Sequence, residues 1–215
     1  MRYFLLVFSV FLMSSCAQNK TIQHFEAVPA FGQNQSYNQG ILTLQSNIGE
    51  TGLIMGIDPI EVEKNEGFEV NLSIANFGEN PIVFDPEEIT HSLKSENGEE
   101  IPVKILYYNE LITEASSIGG GLAAALQGFG AGVSDDQVEK ARYDMQMAKR
   151  EQSRENATRY VEQNAIRITT ISRSNTVSGF YKINSLDILE GQKTLLKIII
   201  PVGTEVHIFN IELGR

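Results

Sequence analysis

Residues 67–77 read GFEVNLSIANF, and this stretch decides the fold. Phe68, Val70, Leu72 and Ile74 fall on one side of an extended chain, with Asn76 continuing the row, while Glu69, Asn71, Ser73 and Ala75 fall on the other. A period of two places one face in a core and the other in water, the pattern of a strand in an antiparallel sheet. The next residues, 77–86 (FGENPIVFDP), supply a turn at 78–81, a short strand at 82–84 and a second break at Asp85 and Pro86. Residues 89–108 (ITHSLKSENGEEIPVKILYY) read as a hairpin, with Asn97 and Gly98 offering the positive φ values of a tight turn.

Working outward, short runs rich in β-branched residues begin near residue 41 and return after residue 166 as IRITTI, TVSGFYKI and TLLKIIIPVGTEVHIFNIEL. The last of these folds back at 201–204. Its closing strand places His207, Phe209, Ile211 and Leu213 on the core face, opposite Val206, Ile208, Asn210 and Glu212. Neither β-rich segment has enough strands to close a core alone, so the pair predicts one sandwich with an insertion between its halves. The expected architecture is mainly β, an antiparallel sandwich spanning 41–215 with a helical hairpin inserted at about 111–164.

The insertion opens with an uncharged stretch, 115–133, in which Ser116, Gly120, Ala124, Gly128 and Gly132 recur every four residues. On a helix these form a smooth ridge that permits close approach of another backbone. Each glycine costs up to about 1 kcal/mol in a helix, so such a helix needs packing to persist. Burial against the sheet, self-association and bilayer insertion are its three possible uses. Ser134 with Gln137 makes a capping box, followed by acidic residues suited to a first turn. A long polar helix is then expected over 135–164, its narrow apolar seam carried by Val138, Ala141, Met145 and Ala148.

The N-terminal end has a different character. Arg2 precedes an apolar run, 3–13, that is shorter than the roughly 20 residues of a transmembrane helix, which is the anatomy of a secretory leader. Two serines then lead to Cys16, the chain's one cysteine. The order Met13-Ser14-Ser15-Cys16 resembles the bacterial lipobox, with Met13 in place of the usual Leu. The resemblance implies cleavage before Cys16 and lipid on its sulfur, with residues 1–15 as the leader. Ala17 beside that cysteine implies the outer membrane, facing the periplasm. Ordinary cleavage after Ala17 satisfies the small-residue rule as well. Acylation would remove an odd thiol from an oxidising compartment. Two or three acyl chains anchor a protein stably, where one does not. Residues 16–40, rich in Gln and Asn, read as a tether, although Phe25, Phe31 and Tyr37 are equally able to dock on the domain.

The formal net charge is -10, one unit more negative once Arg2 leaves with the leader. Nucleic-acid binding is disfavoured by this balance, since the one basic cluster, near 149–159, is interleaved with Glu. The absence of tryptophan argues only weakly against an aromatic carbohydrate platform. His24, His91 and His207 lie in no metal-binding spacing, and no nucleophile elbow or phosphate loop occurs. Asp85, Glu87 and Glu88 carry oxygen ligands, but a solvated turn is the simpler reading. No catalytic residues, metal or cofactor are therefore expected.

The stretch VNLSIANFGENPIVFDPEEI and the later SGFYKINSLDILEGQKTLLKIII resemble bacterial immunoglobulin-like modules of exported lipoproteins. That resemblance implies a sandwich used for binding or scaffolding. It departs from antibody-type domains in lacking the cysteine pair and buried tryptophan. The functional expectation is a lipid-anchored envelope module that recruits another envelope protein through an open sheet edge or the hairpin. The alternative is a component that self-associates through the glycine-rich helix.

Overall fold

A computed structural model describes residues 22–38, 41–58, 61–63, 67–117, 137–184 and 193–214. The leader, Cys16, the capping box at Ser134 and the ridge positions Gly120, Ala124, Gly128 and Gly132 lie outside the described residues.

The expected antiparallel sandwich is present. Its strands in chain order are β1 (Ile22–Ala27), β2 (Gln33–Asn38), β3 (Ile41–Ile48), β4 (Thr51–Asp58), β5 (Glu61–Glu63), β6 (Phe68–Asn76), β7 (Ile82–Phe84), β8 (Thr90–Ser95), β9 (Glu100–Ile101) and β10 (Ile105–Leu106). Two helices follow, α1 (Tyr108–Ser117) and α2 (Gln137–Asn164), then β11 (Thr169–Ile171), β12 (Thr176–Ile183), β13 (Thr194–Val202) and β14 (Glu205–Gly214). The first sheet has the order β5-β1-β14-β13-β8-β9 and the second β10-β12-β6-β4-β3-β2, with β7 and β11 forming a separate pair.

Both sheets turn their apolar rows toward one core. In β6 these are Phe68, Val70, Leu72 and Ile74; in β14, Phe209, Ile211 and Leu213; in β13, Leu196, Ile198, Ile200 and Val202. The connections use the expected chemistry. Gly98 in the β8–β9 turn and Gly203 in the β13–β14 turn both have positive φ, 83° and 61°, a conformation glycine adopts without steric cost. Asn76 closes the inward row of β6 and is buried because its amide is fully used. Its Nδ2 donates to Asn80 O and Ile171 O, and its Oδ1 accepts from Gly78 N.

The reading of 16–40 as a tether needs correction. Residues 22–27 pair with β14 and β5, and residues 33–38 pair with β3. Phe25 is completely buried and meets Phe68 at a ring-centroid distance of 4.6 Å. Burying such a side chain contributes roughly 1.5–3 kcal/mol, enough to draw this segment into the sheet. Phe31 and Tyr37 stay exposed. The insertion also begins slightly earlier than expected, since α1 starts at Tyr108.

Candidate functional site: a groove beneath the helical hairpin

The hairpin sits on the sandwich through a second, small apolar cluster. Leu111 and Ala115 of α1 meet Val161 and Ala165 at the end of α2, over Leu106 and Phe180. Packing is close at Gly179 of β12. A Cβ placed there would lie 2.9 Å from Asn164 O and from the backbone of Ile166, so only glycine lets the helix end approach so closely. The chain leaving α2 is then stitched to the sheet by Ile166 N donating to Phe180 O at 2.8 Å. Polar links frame this base: Lys182 Nζ lies 3.4 Å from Glu114 Oε1, and the Tyr160 hydroxyl donates to Glu69 Oε2 at 3.3 Å. Burial raises the Glu69 carboxyl above its ordinary range, and nearby Asp58 adds to the effect against the Tyr160 hydrogen bond.

Docked this way, α2 overhangs the outer face of the second sheet and leaves a groove of about 420 Å³. Its floor is set by strand register. Thr43, Gly56 and Asn71 share one row across β3, β4 and β6; Ile54, Ser73 and Ser178 share the next across β4, β6 and β12. The wall is Tyr160, Gln163 and Asn164. Among the described residues, none of those lining the groove carries a charge. Ser178 Oγ donates to Ser73 Oγ at 3.0 Å, and Asn164 Nδ2 donates to Tyr160 O at 2.8 Å.

The residues singled out from sequence are scattered. Ser116 is exposed near the end of α1, where its hydroxyl donates to Thr113 O. Ala148 of the seam is exposed. Asp85 caps the short 3-10 turn Pro86–Glu88 by accepting from Glu87 N at 2.9 Å. Among the described residues no group of three or more His, Cys, Asp or Glu side chains is arranged to hold a metal. His24 is exposed on β1.

His91, half-buried, and His207, fully buried, both have hydroxyl partners. His91 Nε2 lies 2.8 Å from Tyr181 OH, and burial pushes its imidazole down to about 4. His207 Nδ1 lies 3.0 Å from Ser46 Oγ and its Nε2 2.9 Å from Thr51 Oγ1. Thr51 also donates to the Glu205 carboxylate, which accepts from Glu50 N at 2.7 Å. Burial opposes ionisation of Glu205, yet the Thr51 and backbone hydrogen bonds outweigh it and hold the carboxyl below its usual range. This chain of hydroxyl, imidazole, hydroxyl and carboxylate resembles a catalytic relay in composition. Ser46 and Thr51 are each 3% exposed, so neither hydroxyl is presented to a substrate, and the network serves to join the sheets.

The architecture is thus a two-sheet antiparallel sandwich carrying a helical hairpin. Comparison with known proteins finds no matching family model, no matching curated relative and no matching solved structure.

Proposed function

We propose that the chain is a non-catalytic binding module moored by lipid at Cys16 to a bacterial envelope membrane, outer and periplasm-facing, and that its hairpin recruits a protein partner. The observation that carries this reading is the exposure of the middle of α2, residues 151–156. The helix has 28 residues, about 42 Å at 1.5 Å per residue. Its described contacts with the sandwich come from its last two turns, while residues 151–156 are exposed on every side. A helical stretch polar on every side, as residues 149–156 are, is characteristic of a segment that bridges to another body or relies on pairs along its own surface, of which Arg154 with Glu151 is one. With β1 beginning at Ile22, residues 17–21 allow at most about 20 Å between anchor and sheet. The module would therefore stand close to the bilayer.

The test is affinity recovery of tagged, natively produced lipoprotein from envelopes. It is compared with a variant in which residues 118–153 are replaced by a short Gly-Ser link. That variant keeps Leu111, Ala115, Val161 and Phe180 packed. A partner recovered with the intact chain and lost with the shortened one is the expected result. Equal recovery by both removes the hairpin from the function, and recovery of a second copy of the chain alone replaces the reading by self-assembly. Fractionation of Cys16→Ser examines the mooring: the variant is expected in the soluble fraction, and its retention on membranes refutes lipidation.

A further inference from the structure

We infer that the groove between α2 and the outer sheet face is a binding site for an uncharged oligosaccharide. This goes beyond the hairpin's protein partner and uses other residues. A fifth of the chain is charged, yet among the described residues no charged side chain lines the groove. Phosphates, nucleotides, carboxylate ligands and metal ions would find no counter-charge there, so the lining selects for neutral ligands.

What the groove offers instead is hydroxyls and amides. Asn71, Gln163 and Ser178 are exposed, and Thr43 and Ser73 half-buried. Thr43, Asn71 and Gln163 have no side-chain hydrogen-bond partner among the described residues, which leaves their donors and acceptors open to a ligand. Successive strands present these groups about 4.8 Å apart, a grid suited to a ligand carrying hydroxyls at short, regular intervals. An extended peptide would pair through its backbone at a sheet edge and gains no such pairing on a sheet face.

Apolar surface lies beside the polar grid, as sugars require for their C–H faces. Ile54 is 43% exposed and Tyr160 47% exposed. The Tyr160 ring is backed by Phe180 at 5.3 Å, and its exposed part is available to a sugar's C–H face. The volume falls within the range of about 300–1,000 Å³ typical of ligand sites, and the open side lets a chain run through. Lack of tryptophan weakens the platform without changing its chemistry, and a Kd of about 0.1–1 mM is the expected range.

The experiment uses the full lipidated chain in a detergent without a sugar head group. Saturation-transfer NMR and calorimetry follow titration with maltotriose, cellotriose and tri-N-acetylchitotriose, beside an anionic control, trigalacturonic acid. Saturable binding of at least one neutral trisaccharide, with none for the control, is expected. Gly56→Leu fills the floor: a Cβ at Gly56 meets Ile41 and Asn71 only at ordinary distances of 3.5 and 3.7 Å, so the added bulk enters the groove. Binding should disappear in this variant with its melting temperature preserved. Asn71→Ala and Gln163→Ala, both at exposed positions, should each weaken binding about fivefold, the loss of one hydrogen bond. They decide the matter if Gly56→Leu fails to fold. Absence of binding by all three neutral trisaccharides, tighter binding of the anionic control, or affinity unchanged by the groove substitutions would overturn the inference.

Discussion

His207 and Thr51 stand on opposite sheets with Nε2 of the imidazole 2.9 Å from Oγ1 of the hydroxyl, and both are enclosed in the core. The protons along this contact can be assigned from their acceptors. Two acceptors face the Thr51 hydroxyl, Ile48 O at 3.2 Å and the Glu205 carboxylate; the charge-assisted bond is the stronger, so Thr51 gives its single proton to Glu205. His207 must then donate from Nε2 to Thr51 and accept at Nδ1 from Ser46. Thr51→Val removes the acceptor that, among the described residues, faces the buried imidazole Nε2–H. The expected loss is about 1–3 kcal/mol, read from urea unfolding, with Thr51→Ser nearer the parent. A valine variant as stable as the parent would show that the contact contributes nothing to joining the sheets.

Acid should weaken the fold through its histidines. Burial holds His91 at about 4, below its ordinary 6.5. Between those two values the unfolded chain takes up a proton that the folded chain refuses, so stability falls as pH drops through the window and is insensitive to His91 above it. The full effect is about 3 kcal/mol by pH 4. His207 acts in the same direction, its imidazole lowered by burial and partly restored by Glu205. Urea midpoints from pH 7 to 4 should therefore decline, and His91→Gln should reduce the slope. An identical slope in that variant would assign the acid sensitivity elsewhere.

Strands were legible where one face is continuously apolar over several residues, as in Phe68–Asn76 and in the closing pair β13 and β14. Residues 22–27 escaped notice because only Phe25 and Ala27 of the described side chains turn inward there, too short a signal among Gln and Asn. Residues 33–38 carry no apolar alternation, because an edge strand held by backbone pairing to β3 needs none. The groove was illegible for a different reason. Ser73 and Ser178 meet across 105 residues of sequence, and only sheet register, which no local spacing encodes, brings them together. His207 was placed correctly on the core face of its strand, while its partners Ser46 and Thr51 belong to the other half of the chain.

Asn76 provides a sharp test of how the β6–β7 loop is fixed. Its Nδ2 donates to two carbonyls, Asn80 O at 2.8 Å and Ile171 O at 2.9 Å. Asn76→Asp keeps the shape and the acceptor for Gly78 N, but it turns a carboxylate oxygen toward those carbonyls in a site 1% exposed. Two donated hydrogen bonds become repulsions. A loss of about 2–4 kcal/mol is expected at neutral pH, greater than for Asn76→Ala, and it should shrink as acid protonates the new carboxyl. Chemical denaturation of both variants at two pH values distinguishes this account from a simple cavity, for which alanine would be the worse substitution.

Gly179 controls how closely the hairpin docks. An alanine Cβ would stand 2.9 Å from Asn164 O and from Ile166 N and Cα, and all three are backbone atoms that cannot rotate away. Gly179→Ala must therefore push β12 and the end of α2 apart, stretching the 2.8 Å bond from Ile166 N to Phe180 O. Overpacking of this kind costs about 1–3 kcal/mol. The cost should fall on the hairpin rather than the sandwich, because Val161, Leu111 and Phe180 form a cluster separate from the main core. Amide hydrogen exchange checks this by residue: Ile166 and Val161 should exchange faster, while Ile198, deep in β13, keeps its protection. Since Gly179 and Asn164 also line the groove, the same displacement should widen it and weaken any ligand held between floor and wall. Parental protection at Ile166 in the alanine variant would mean that the helix end tolerates more distance than the packing implies.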